Sequence, residues 1–361
     1  VVVKRWIPLL LFVGLLSFSD ARAQITNSLV MQPRSMAMGG TGVALADDEY
    51  ALFNNPAGLA GQDTRRFKLI GVGLGASLDT YTELSTSLNT FKNFNISDLN
   101  QLMGKNIALR ADMVPIVQLP HFAITYLYDA QFGLTENNLA NPTFQVGDMI
   151  THGVQAGFGW NLMQGKKSTD ELRVGVTGKV LWRKGGFYDV STSGFLQATS
   201  NGSQYLNSLL GNYGMGIGAD LGAQYVKHLD KDTSLFSGAS VTDVGGTKFS
   251  DPHALSIPMN ISVGVGAERK LAIGNVKFDF DVRNMSQQTA FVNMTHIGTE
   301  LSLPLLDFDL GLSQMHATYG VAFDIWILRV SATSYTEEYG ISYGQDTVRK
   351  YMLQIDFSLP I

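Results

Sequence analysis

From about Phe67 to the end of the chain, apolar and polar residues alternate with a period of two, in runs separated by turns. Between Leu172 and Trp182, Leu172, Val174, Val176, Val180 and Trp182 fall on one face, and Arg173, Thr177 and Lys179 on the other. Asn275 to Arg283 sets Val276, Phe278, Phe280 and Val282 against Lys277, Asp279, Asp281 and Arg283. Tyr213 to Tyr225 sets Met215, Ile217 and Leu221 against Gly214, Gly216, Gly218, Asp220, Gly222 and Gln224. A two-residue period places successive side chains on opposite faces of a strand. The pattern predicts fourteen strands, near 66–77, 106–118, 121–129, 150–163, 171–184, 213–228, 233–242, 256–268, 275–284, 294–303, 305–313, 316–325, 327–335 and 347–359. Connections such as 119–120, 164–170, 229–232 and 269–274 are short, whereas 78–105, 130–149, 185–212 and 243–255 are long.

Strands with one apolar and one polar face suit two architectures. A soluble sandwich turns the apolar face inward, and a membrane barrel turns it outward to lipid around a polar lumen. The second fits better, because the polar face is full of glycine and of charges of both signs. Examples are Arg110, Asp112, Lys179, Lys277, Asp279, Asp281, Asp307 and Asp309. Trp160, Trp182, Tyr188, Tyr225, Trp326 and Tyr351 cluster at strand ends, as in interfacial girdles. An even strand count with short turns on one side and long loops on the other is the pattern of a bacterial outer-membrane barrel. The last strand ends on the apolar parity of Tyr351, Leu353, Ile355, Phe357, Leu359 and Ile361. The expected fold is therefore all-β, a transmembrane antiparallel barrel at 66–361. Its outer partner is membrane lipid.

Composition removes several alternatives. Only 16% of the 361 residues are charged, 38 are glycine and none is cysteine. Disulfides, thiolate metal sites and a cysteine nucleophile are excluded. A net charge of −5 gives no electrostatic footprint for nucleic acid. Lys4 and Arg5, the apolar run Ile7–Leu16 and Ala21-Arg22-Ala23 read as a signal peptide at 1–23, cleaved after Ala23 on export.

Residues 24–65 do not alternate. They contain Arg34-Ser35, Met38-Gly39-Gly40, Gly42-Val43-Ala44, Asp47-Asp48 and Asn55-Pro56-Ala57-Gly58-Leu59. This order resembles the N-terminal hatch of the FadL group of outer-membrane transporters for hydrophobic compounds, with PorV-like and TraF-like relatives. The resemblance implies that 24–65 form a plug inside the lumen, with Arg34, Ser35, Met38, Gly39, Gly40, Asn55, Pro56, Ala57 and Gly58 as its characteristic residues. It also implies passive uptake of hydrophobic or amphipathic compounds such as long-chain fatty acids. The alternative is a PorV-like structural partner or shuttle for a secreted protein. The loops 78–105 and 185–212 are rich in apolar residues, and Phe91, Phe94, Leu99, Phe187, Phe195 and Leu206 are candidate ligand contacts there. Pro115 interrupts a strand and removes a backbone donor, so it marks the candidate lateral opening.

Enzymatic signals are absent from the pattern. Gly340–Gly344 fits G-x-S-x-G but falls in a hairpin loop instead of a strand-to-helix elbow. The six histidines lack metal-binding spacing. No cofactor, metal or catalytic residue is expected.

Overall fold

A computed structural model of the chain describes residues 28–83, 104–136, 143–163, 170–191, 210–287, 289–340 and 342–360. Its strands are β1 (Arg66–Ser77), β2 (Asn106–Met113), β3 (Ile116–Leu119), β4 (Phe122–Glu136), β5 (Thr143–Asn161), β6 (Asp170–Ser191), β7 (Gly214–His228) and β8 (Thr233–Thr242). They continue as β9 (Asn260–Lys270), β10 (Asn275–Val282), β11 (Thr295–Leu303), β12 (Leu306–Ser313), β13 (His316–Ile325), β14 (Leu328–Glu338) and β15 (Thr347–Pro360). Every pairing is antiparallel, and β15 closes onto β1 from Arg66↔Pro360 to Ser77↔Lys350. Closure removes the free edges that an open sheet would expose. Among the described residues no helix is long and apolar enough to cross a membrane.

Fifteen strands make a fourteen-strand barrel because β2 and β3 occupy one position in the wall, between β1 and β4. Both pieces keep the same register with β4, through Met113↔Tyr128 and Ile116↔Thr125. Against β1 the register slips by one residue, between Val72↔Met113 and Lys68↔Ile116. The extra residue is taken up by a bulge between Lys68 and Ile70. The strand expected over 106–118 is thus broken at Val114–Pro115, where proline has no N–H for the ladder.

The alternation resolves as a barrel with its apolar face outside. Ile217 is 67% exposed, Leu310 59% and Phe278 49%, whereas Lys179, Asp220, Asp279 and Asp281 on the opposite faces are buried. Such an exterior is stable only against hydrocarbon, because water would meet a continuous apolar band. A strand crosses a bilayer in about 9–11 residues. With 19 residues β5 and with 22 residues β6 project well past that thickness, on the side away from the short turns. β6 runs past its expected end because the strand continues through Gly185 and Gly186, where the alternation weakens, and β5 begins at Thr143, so that most of the connection expected over 130–149 is strand of β4 and β5.

Candidate functional site

Residues 28–62 pack against inward-facing positions of the wall strands. After Leu29 and Val30, Pro33 opens the one-turn helix α1 (Pro33–Ala37), its missing N–H falling where a helix leaves donors unused. Gly39 and Gly40 follow with φ of 74° and 82°, a left-handed turn that sends the chain along the wall. Helix α2 (Ala51–Asn54) and a 3-10 turn (Pro56–Gly61) come next, and the chain joins β1 at Arg66.

The segment makes a circuit of the wall. Ala37 lies against Gly320 of β13, Met38 against Gly311 of β12 and Gly298 of β11, and Val43 against Gly238 of β8. Pro56 then lies on Gly175 of β6 and Ala60 on Gly159 of β5. At each of these glycines a Cβ would fall within the van der Waals shell of the segment's own atoms. The inward glycines are therefore contact positions where two backbones meet.

Polar anchors fix the circuit. The Asp281 carboxylate accepts from the backbone N–H of Gly42 at 2.8 Å and of Val43 at 2.9 Å. Asn55 is fully buried. Its amide donates to the carbonyls of Val43 at 2.8 Å and Ala223 at 3.1 Å, while its oxygen accepts from the Ala57 N–H at 3.2 Å. Arg34 reaches Asp47 at 2.6 Å and Asp48 at 3.0 Å within the segment and pairs with Glu300 of β11. Lys277 of β10 closes the group, 2.7 Å from Asp47 and 3.0 Å from Glu300. Burial opposes ionisation of Asp47, but Arg34 and Lys277 outweigh it and hold that carboxyl well below its ordinary value. Arg283 donates to the Gly40 carbonyl and, at 3.2 Å, to the Asn54 side chain. His296 of β11 meets the Gly39 carbonyl at 2.6 Å.

A second anchor sits beside the break in the wall. Lys68, at the bulge of β1, lies 2.6 Å from Glu49 and 3.4 Å from Asp356. Gln354 donates to the Tyr50 hydroxyl at 2.6 Å. Burial raises the Glu49 carboxyl, yet Lys68 and Arg66 prevail and keep it well below its ordinary 4.5. A depressed folded-state pKa stabilises docking above the free-carboxylate value and loses that stabilisation as the pH falls through and below it. Acidification below about pH 4.5 is thus expected to loosen this end of the segment, read as faster protease cleavage within 45–65 of the reconstituted protein. Cleavage that does not change between pH 7 and pH 3 would contradict it.

One connection also folds inward. Residues 243–259 run beside the far half of β7, with Val244 N–H to the Ala219 carbonyl at 2.9 Å and Ser250 N–H to the Met215 carbonyl at 3.0 Å. They then reach β6 through the Leu255 N–H and the Gly185 carbonyl, 3.1 Å apart. Arg183 of β6, itself buried, donates to the Leu255 carbonyl at 2.9 Å and lies 5.0 Å from the Phe249 ring. Ile257 enters an apolar cluster with Leu181, Leu127, Leu52, Leu59 and Val30 that ends at Val114 and Ile116, on either side of Pro115. A buried apolar cluster thus lies among the charged groups of the interior and takes in residues of the infolded connection, the segment and both sides of the β2–β3 break.

The fold has counterparts among solved structures. No protein-family model matches the chain, and no curated protein matches it by sequence. Among solved structures it is similar to the Ralstonia pickettii toluene transporter TbuX, with 16% identity, 93% of this chain and 99% of that one covered, and a TM-score of 0.50. It is similar also to the deltaS2S3 mutant of the TodX monoaromatic hydrocarbon channel, with 13% identity, 92% and 99% covered, and a TM-score of 0.51. The fold is that of the FadL-type outer-membrane barrels.

Within this barrel the nine residues expected in the N-terminal segment all lie in contact positions. Arg34 is the ion-pair centre, Ser35 donates to the Thr41 carbonyl and Met38 is buried against β11. Gly39 and Gly40 make the turn, Asn55 is the hydrogen-bonded anchor, Pro56 and Ala57 meet Gly175, and Gly58 packs on the Ala46 carbonyl. Phe91, Phe94, Leu99, Phe195 and Leu206 lie outside the described residues. Phe187 stands on β6, paired with Gly147, and not in a loop. Asp281, Arg283 and His296 were not singled out as anchors by sequence reasoning. Their inward parity was readable, but the backbone groups they serve lie some 240 residues away in the chain. Among the lumen charges, Lys179 pairs with Asp220 and Asp243, and Arg173 with Glu171. Asp281 instead binds backbone N–H groups.

Proposed function

We propose that this protein is a bacterial outer-membrane channel for the passive entry of hydrophobic compounds, in which residues 24–65 are the hatch, and that it is not an enzyme. The observation that carries the reading is the buried apolar cluster inside a charged lumen, which includes Val114 and Ile116 at the broken strand. Water and ions gain nothing from such a cluster, whereas an apolar solute can replace the contacts that the hatch makes there. The structures of similar fold titled a toluene transporter and a monoaromatic hydrocarbon channel support a small apolar cargo. A long-chain fatty acid would have to fit its carboxylate into the same interior, where the buried cations beside the cluster are Lys68, 4.7 Å from the Tyr50 ring, and Arg183, 5.0 Å from the Phe249 ring.

In this mechanism the solute binds among the outer loops and moves inward as the hatch shifts. It leaves sideways into lipid between β1 and the β2–β3 break, so that it bypasses the ion-paired groups around Arg34 and Lys277. Pro115 is the central element of the opening. Pro115→Val restores a backbone donor opposite the bulge and is expected to slow uptake of labelled toluene into proteoliposomes several-fold, with an unchanged melting temperature. Unchanged uptake in this variant would remove the lateral route. Failure of the wild-type protein to transport either toluene or a fatty acid, together with stoichiometric recovery of a secreted protein, would replace the channel reading by the partner-scaffold one.

A further inference from the structure

Arg34 of the N-terminal segment lines a cavity of about 380 Å³ between the segment and the wall. Its guanidinium donates from Nε to Glu300 and from Nη1 to Asp47 and Asp48, while Nη2 is buried without a hydrogen-bond partner. The wall facing it carries an inward row over three strands, Lys277 of β10, Glu300 of β11 and Asp309 of β12, each directly across the ladder from the next. Asp309 lines the same cavity and is only 3% exposed. Its Oδ1 has no hydrogen-bond partner, and no cationic group lies within 4.0 Å of it among the described residues. A buried carboxylate without a partner is costly, as is a buried guanidinium nitrogen without an acceptor. Asp309 stands one strand spacing, about 4.8 Å, beyond the carboxylate that Arg34 already holds.

We propose that Arg34 has two berths on the wall, Glu300 in the position described and Asp309 when its side chain swings over by one strand. Lys277 makes the exchange electrostatically feasible. It lies 2.7 Å from Asp47 and 3.0 Å from Glu300, so it still neutralises both after the guanidinium leaves. Asp48 alone loses its cation, and its side chain is 28% exposed. The exchange thus moves the unpaired carboxylate from a buried to a half-buried position, where desolvation costs less. The arginine can meet Asp309 with two nitrogens at once, Nη2 among them, a pairing that its first berth does not give. Room decides the direction. Arg34 also lines a pocket of about 10 Å³ with Asp279, enough for one water and too small for a guanidinium, whereas the 380 Å³ cavity at Asp309 accommodates one. A second berth lets the segment shift without leaving its arginine unpaired in the lumen. This inference goes beyond the channel reading, since it concerns how the segment is latched whether or not a solute passes.

The test uses the full-length protein and two isosteric amides, Glu300→Gln and Asp309→Asn, alone and together. A crystal structure of Glu300→Gln is expected to show the Arg34 guanidinium at ion-pair distance from Asp309. A guanidinium still resting on Asp47 and Asp48, with Asp309 unpaired, would overturn the proposal. Protease cleavage within 45–65 of the reconstituted protein gives a second readout. Each single variant is expected to be cut within about twofold of the wild-type rate, because one berth remains, and the double variant about tenfold faster. A double variant cut no faster than the product of the two single effects would show that the carboxylates do not substitute for each other, and the proposal would fall. Should Glu300→Gln not fold, Glu300→Asp, which draws the first berth back by one methylene, is expected to show the same transfer to Asp309, and an arginine that stays in place would count against it equally. Neither experiment reads solute uptake, so failure of the channel reading would leave the result standing.

Discussion

Deleting residues 33–60 is expected to leave a folded barrel that conducts ions. The wall is held by its own continuous ladder from β1 round to β15, so its closure does not require the segment. What the deletion removes is the material inside, from α1 through the 3-10 turn. A barrel of this strand number without a plug leaves an aqueous path. Leak conductance in planar bilayers should rise by about an order of magnitude or more. The variant should still show the gel-mobility shift on heating that marks a folded barrel. A deletion variant that folds yet conducts no better than the wild type would show that the lumen is closed by something other than the segment, the infolded connection 243–259 being the first suspect.

The second large effect is expected from a single atom-sized change, Asn55→Asp. The Asn55 amide nitrogen donates to two carbonyls, one on the segment and one on β7, at a fully buried position. Replacing that nitrogen by a carboxylate oxygen turns both hydrogen bonds into repulsions and buries a charge. The penalty is on the order of 3 kcal/mol or more. It falls on docking of the segment and spares the wall, because the Ala223 carbonyl belongs to an intact ladder. Conductance should approach that of the deletion variant while barrel melting changes little. Asn55→Ala, which removes the donors without adding charge, should give an intermediate leak. If Asn55→Asp lowers barrel melting and leaves conductance at the wild-type level, the anchor supports the wall and not the plug.

The wall was legible in the sequence because each strand carries its own signal. Parity separates Ile217 and Phe278 from Asp220 and Asp279 with no knowledge of neighbours, and turn residues mark most ends. Pro115 was legible for the same local reason. The one-residue bulge opposite it was not, since Leu69 and Ile70 only become unusual once β15 and β3 fix the register on both sides of β1. The inward glycines misled in a specific way. On the sequence they counted only as part of the polar face around a lumen, whereas Gly175, Gly238 and Gly298 are places where the segment lies on the wall. That contact pairs residues more than a hundred positions apart, and no periodicity reports it. The connection 243–255 read as an outer loop for a similar reason, because the position of Ile257 in the apolar cluster depends on Leu181 and Leu52 being already in place.

The orientation of the two faces is open to direct measurement, because the chain has no cysteine and single ones can be introduced cleanly. Fluorescent probes attached at Ile217→Cys, Phe278→Cys and Leu310→Cys in reconstituted protein should be quenched by brominated acyl chains and be insensitive to iodide. Ser302→Cys and Ser331→Cys, which line a cavity between the N-terminal segment and the wall, should react with a small water-soluble thiol reagent and escape the lipid quencher. Quenching of the second group by lipid, with the first group open to iodide, would mean that the apolar faces do not meet hydrocarbon, and the barrel, its plug and its proposed cargo would fall together.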